Sequence, residues 1–101
     1  MNQKYEITDI VHPQYPWLHR IRALRDVRED VHAGDLGGFV QSEENLSQEG
    51  QCWVANNAVA AEESYISGDA IMWDYSCARG CAVISGKSRI GGEAIIEDHA
   101  I

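Results

Sequence analysis

The side chains able to do chemistry are few, and most are spaced in ways that exclude the common sites. Cys77-x-x-x-Cys81 offers two thiols, but no second pair completes a zinc set, and alternation along a strand points them into different environments. Cys52 is the third thiol, and His12, His19 and His32 sit in the first third without ligand spacing. These spacings imply no metal and no cofactor. Gly34, Gly37 and Gly38 follow no phosphate-loop pattern and serve a turn. Arg20, Arg22, Arg25 and Arg28 are interleaved with Asp26, Glu29 and Asp30, which predicts a solvated strand face and not a nucleic-acid contact. The more suggestive cluster is Met72-Trp73-Asp74-Tyr75, with large aromatics on both sides of an acid. Trp and Tyr are favoured binding anchors. Trp73, Asp74, Tyr75, Glu62, Glu63 and Glu93 are therefore the expected partner-binding residues.

What positions them is a repeat of six. From Cys52 onward every sixth residue is small: Ala58, Ser64, Ala70, Ser76, Ala82, Ser88, Ala94 and Ala100 follow. Two places later runs an apolar series, Val54, Ala60, Ile66, Met72, Ala78, Ile84, Ile90 and Ile96. Two places before each small residue stands Gly50, Asn56, Glu62, Gly68, Asp74, Gly80, Gly86, Gly92 or Asp98. All but Glu62 are types that tolerate positive φ at a corner. A period of six drifts around a helix of 3.6 residues per turn, but equal corners between short strands build a coil that stacks on itself. Residues 36–101 divide into eleven such hexads, the weak ones being 42–47 and 48–53.

The opening Arg20-Ile21-Arg22-Ala23-Leu24-Arg25-Asp26-Val27 and Ala33-Gly34-Asp35-Leu36-Gly37-Gly38-Phe39-Val40, with the repeat behind them, resembles hexapeptide-repeat proteins encoded by phages and prophages. The resemblance implies an all-β chain: a single-stranded left-handed parallel β-helix of under four coils with an N-terminal β-hairpin cap. Residues 1–33 would be the cap, with strands at Tyr5 to Val11 and Leu18 to Val27, and 34–101 the solenoid. Three hexads per coil stack residues eighteen apart, giving inward columns such as Val54/Met72/Ile90. Enzymes of this fold include acyltransferases with a histidine base, and His99 is the one histidine in the clear repeat. Without a loop or cleft beside it, it reads as a surface residue.

The chain has 101 residues and a net charge of −8; residues 1–33 are balanced, so the whole surplus lies in 34–101. That excludes nonspecific binding to nucleic acid or anionic lipid. The odd cysteine count and the absence of a signal-like start lead to a cytoplasmic expectation, in a bacterial host. Outward positions are unusually apolar, so Val59, Tyr65, Val83, Ile95, Ala100 and Ile101 are expected in self-association, with a dimer favoured. The reading as a whole is a non-enzymatic accessory module. Its acidic surface would engage and inhibit a host protein with a basic surface, on the pattern of an anti-CRISPR. A small acyltransferase and a structural oligomeriser stacking through its last coil are the alternatives.

Overall fold

A computed structural model describes residues 3–97. Eleven strands and one 3-10 turn make up the described residues. The long strands come first: β1 (Tyr5–Val11), β2 (His19–Ala23) and β3 (Leu36–Val40). The turn Glu43–Asn45 follows, then β4 (Trp53–Val54), β5 (Val59–Ala60), β6 (Tyr65–Ile66) and β7 (Ile71–Met72). The last are β8 (Cys77–Arg79), β9 (Val83–Ile84), β10 (Arg89–Ile90) and β11 (Ile95–Glu97).

Residues eighteen apart do pair in parallel: Trp53 with Ile71, Val59 with Cys77, Tyr65 with Val83, and Ile71 with Arg89. The result is a three-faced parallel β-helix. Face one carries β3, β5, β8 and β11; face two carries β4, β7 and β10; face three carries β6 and β9. Every corner residue of the hexad from Gly50 to Gly92 has positive φ, including Glu62 at 59°. Glu62 bears that conformation because its amide donates to Gln41 Oε1 and its carboxylate accepts from the Gly80 amide at 2.7 Å. The small residues Cys52, Ala58, Ala70 and Ala82 are fully buried beside Val54, Ile66, Met72 and Ile84.

The first coil departs from the strict period. Phe39 pairs with Val59 and Leu46 with Ile66, offsets of twenty, so two residues are inserted before Gly50. The weak hexads mark that place. Gln48 uses the extra length to reach β1, where its Oε1 accepts from the amides of Lys4 and Tyr5.

The hairpin β1–β2 joins antiparallel to β3 and so continues face one. Its β2 ends at Ala23, short of the Val27 expected, because the chain leaves the sheet to form the Arg28–Val31 bridge. Tyr5, Ile21 and Val27 close the open end of the apolar column. Two of the four arginines differ from a solvated face, while Arg25 is exposed and Arg22 forms an exposed ion pair with Glu6. Arg20 donates to the carbonyls of Gly37 and Asn56, and Arg28 to those of Gln51 and Asp69. Coil corners present carbonyls off the ladder, and a guanidinium with several donors is the side chain that can hold two at once. Trp53 is 1% exposed, and Gly37 leaves room for its ring.

Tyr5 supplies a first prediction. Its hydroxyl donates to the Leu46 carbonyl at 2.6 Å, and burial, followed by the nearby Glu43 charge, raises its pKa well above 10. A raised folded pKa means stability that is intact below the unfolded value and lost as pH climbs past it. Denaturation of the wild type is therefore expected to become steeply easier above about pH 10. Tyr5→Phe should lose about 1 kcal/mol at neutral pH and should not share that alkaline loss. Parallel pH profiles for the two proteins would refute the assignment.

Candidate functional site

The segment 12–18 cannot join the sheet, because Pro13 and Pro16 lack amide donors and fix φ. It arches over face one instead. The His12 amide donates to the Leu18 carbonyl, and buried Leu18 packs with Phe39, Ala61 and half-buried Val59. Between arch and face lies a groove of about 400 Å³. His12, Tyr15 and Trp17 form one wall; Tyr75, Cys77 and Ile95 form the other, with Glu62 and Arg79 at its edge.

His12 is fixed by its surroundings. Its ring meets Phe39 edge-on at 4.7 Å and leans on Tyr15 at 5.0 Å, and Tyr15 in turn touches Trp17 at 5.5 Å. Nδ1 accepts the Gln14 amide proton at 3.1 Å, which places the proton of the neutral ring on Nε2. His12 is therefore presented as a hydrogen-bond donor. His19 has the opposite tautomer, since its Nδ1 must donate to the Thr8 carbonyl at 3.0 Å, but it lines neither groove described here. Burial pushes the Cys77 thiol up against the opposing effect of Arg79, so it stays protonated near neutral pH and acts as apolar wall. Arg79 is held by Glu97 at 2.7 Å.

The aromatic corner does not form one site. Asp74, at φ 58°, turns the chain from face two to face one. Trp73 lies on face two beside Arg89, whereas Tyr75, 66% exposed, lines the groove on face one with Glu62. The Asp74 amide donates to Asn56 Oδ1. Glu63 lies 3.3 Å from the Cys81 thiol, and Glu93 is exposed; neither lines a groove described here. Of the apolar outward residues, Val59 is half covered by the arch, and Tyr65, Val83 and Ile95 are exposed. His99, Ala100 and Ile101 lie outside the described residues. The two thiols Cys77 and Cys81 do occupy different environments, half-buried and exposed. Among the described residues no group of histidine, cysteine or acid could hold a metal ion, and no helix is long and apolar enough to cross a membrane.

Sequence comparison supplies what geometry alone does not. Over 80 residues, 78% of this chain, it is 36% identical to the uncharacterized acetyltransferase YdcK of Escherichia coli (strain K12). Repeat, coil and relative fit a hexapeptide-repeat β-helix. The chain spans only 19% of that relative's length. No family model and no solved structure matches the chain. The relative is an acetyltransferase by name, and this overturns the expectation of a non-enzymatic module. In sequence His99 is the one histidine of the clear repeat, and nothing about the spacing of His12 marks it for acyl transfer. The available signal was two prolines bracketing a histidine and a tyrosine, a loop kept out of the sheet.

Proposed function

We propose that the chain takes part in acyl transfer from a thioester such as acetyl-coenzyme A, with the groove under the 12–18 arch as the reacting site. The observation that carries this reading is the similarity to an acetyltransferase over 78% of the chain. The groove adds chemistry suited to it. In such a transfer the acceptor's N or O attacks the acyl carbon, the new bond forms, and the carbon–sulfur bond breaks. The acceptor's proton ends on the departing thiolate. Negative charge gathers on the acyl oxygen on the way, and His12 Nε2–H is a fixed donor to meet it. Glu62 is the carboxylate that lines the same groove, and it can relay the acceptor's proton. Val59, Cys77 and Ile95 give the groove an apolar side for the acyl group.

The test is thiol release from acetyl-coenzyme A in the presence of amine and alcohol acceptors. His12→Ala is expected to lower kcat about 100-fold, the usual loss of one oxyanion donor. His12→Gln, which keeps an N–H, should recover part of it. Because the donor's phosphates meet a chain of net charge −8, its KM should fall as salt is added. No release by the wild type, or release unchanged in His12→Ala, would sink the proposal.

A further inference from the structure

The second groove, on face two, has a different chemistry and owes nothing to the acyl-transfer reading. Trp53, Ile71 and Arg89 stack in one column on successive coils. Beside this column runs the segment between β2 and β3, which contributes Asp30 and Asp35 to the opposite wall. The cavity between them holds about 480 Å³.

Its floor is built for flat rings. Trp73 lies across Gly91 so closely that a Cβ there would sit 2.1 Å from the indole. Trp53 lies against Gly37, where a Cβ would be 2.8 Å from the ring. Two glycines thus give up side chains so that the Trp53 indole is buried as a base beneath the cavity and the half-buried Trp73 indole lines it. The Arg89 guanidinium stands over the Trp73 ring, 5.7 Å from its centre.

The charges around this floor are complementary but not joined. The ion pairs among the described residues are Arg22 with Glu6 and Arg79 with Glu97. Arg89 therefore reaches no described carboxylate, although Asp30 and Asp35 open on the same cavity. Asp35 accepts the His32 amide through one oxygen, which fixes its orientation and leaves the other oxygen. Arg89 pairs through β10 with Ile71, and Ile71 with Trp53, so the column that carries the cation rises over about two coil spacings, roughly 10 Å. A cation on one wall, carboxylates on the other and an aromatic floor define the ligand.

We infer that this groove binds a small zwitterion, with its carboxylate on Arg89, its ammonium on Asp30 and Asp35, and its apolar body on the Trp73 indole. A guanidinium takes a carboxylate through two parallel N–H bonds, and an ammonium near a carboxylate and an indole gains from both. A purely anionic ligand would meet the two aspartates, and a purely cationic one would meet Arg89.

The probe is 6-aminohexanoate, followed by the indole Nε1–H resonances of Trp73 and Trp53 in the full chain. Saturable shifts are expected, with hexanoate and hexylamine each at least tenfold weaker. Arg89→Gln and Asp30→Asn should each weaken the probe about tenfold, since a hydrogen bond to a charged group is involved in both. Both residues are exposed and outside the described ion pairs, so folding should be unaffected; circular dichroism checks this. Absence of shifts at millimolar probe, equal binding of either single-charge analogue, or indifference to both substitutions overturns the inference. Thioester turnover plays no part in this readout, so its failure and that of the acyl-transfer proposal are separable.

Discussion

Gly38→Ala is expected to lower stability by about 3 kcal/mol and the melting temperature by roughly 12–24 °C. A Cβ on Gly38 would lie 2.4 Å from the Ala58 carbonyl oxygen and 2.7 Å from a Val54 methyl. That carbonyl is backbone and already accepts the Phe39 amide at 2.9 Å, the bond that seats β3 on β5. Relief therefore requires moving one of the two strands and losing the junction between hairpin and helix. Overpacking of this kind costs about 1–3 kcal/mol, and a weakened hydrogen bond adds about 1. Gly86→Ala is the control. Nothing lies within 4 Å of its Cβ, and only its φ of 64° opposes a side chain, at about 1 kcal/mol. Thermal melts of both variants decide the matter; equal losses would mean that backbone conformation and not crowding governs Gly38.

That contrast also shows which parts of this molecule a sequence can disclose. Gly86 belongs to the repeating corner, and its role follows from recurrence alone. The same recurrence makes Val54, Met72 and Ile90 a column and places Ala60 over Ala78 and Ile96, as the pairings show. A six-residue period is dense with information, because each turn restates the same constraints of corner, small residue and aliphatic residue. Gly38 stands where two architectures meet, and no repetition announces it. The inserted pair before Gly50 was visible only as poor hexads, without direction or length. The grooves were less legible still. His12 and Asp30 reach them through nonrepeating chain whose path depends on Pro13, Pro16 and the arginine bonds to coil carbonyls. Trp73 and Tyr75 look like one cluster in sequence, but the positive φ of Asp74 sends them to separate faces. Charge type misleads in one further place, Lys4.

Lys4→Ala is expected to cost about 4 kcal/mol, although a lysine near a chain terminus normally reads as solvated. Lys4 is fully buried. Its Nζ donates to the carbonyls of Cys52 at 2.8 Å and Glu49 at 3.2 Å, and it lies 3.1 Å from the Cys52 thiol. Cys52 leads into β4, the edge strand of face two, and Glu49 lies in the irregular first coil, so neither carbonyl has a strand partner. Two effects oppose each other here. Burial disfavours the ammonium and lowers its pKa, while the bond to Cys52 favours it. Removing the side chain ends the first effect but leaves bare buried carbonyls at about 1–3 kcal/mol each, and a hole the size of four methylenes. The loss outweighs the relief. Lys4→Met separates the two contributions, because it refills the stem and removes only the donors; about 2 kcal/mol is expected. The lowered pKa has a signature of its own. Between the folded value and 10.5 the unfolded chain holds the extra proton, so stability should rise with pH over that interval. The rise should vanish in Lys4→Met and persist in Tyr5→Phe. Urea melts of the three proteins from neutral pH upward test all of this at once. A Lys4→Met protein as stable as the wild type would show that the ammonium contributes nothing net to the closure of the first coil.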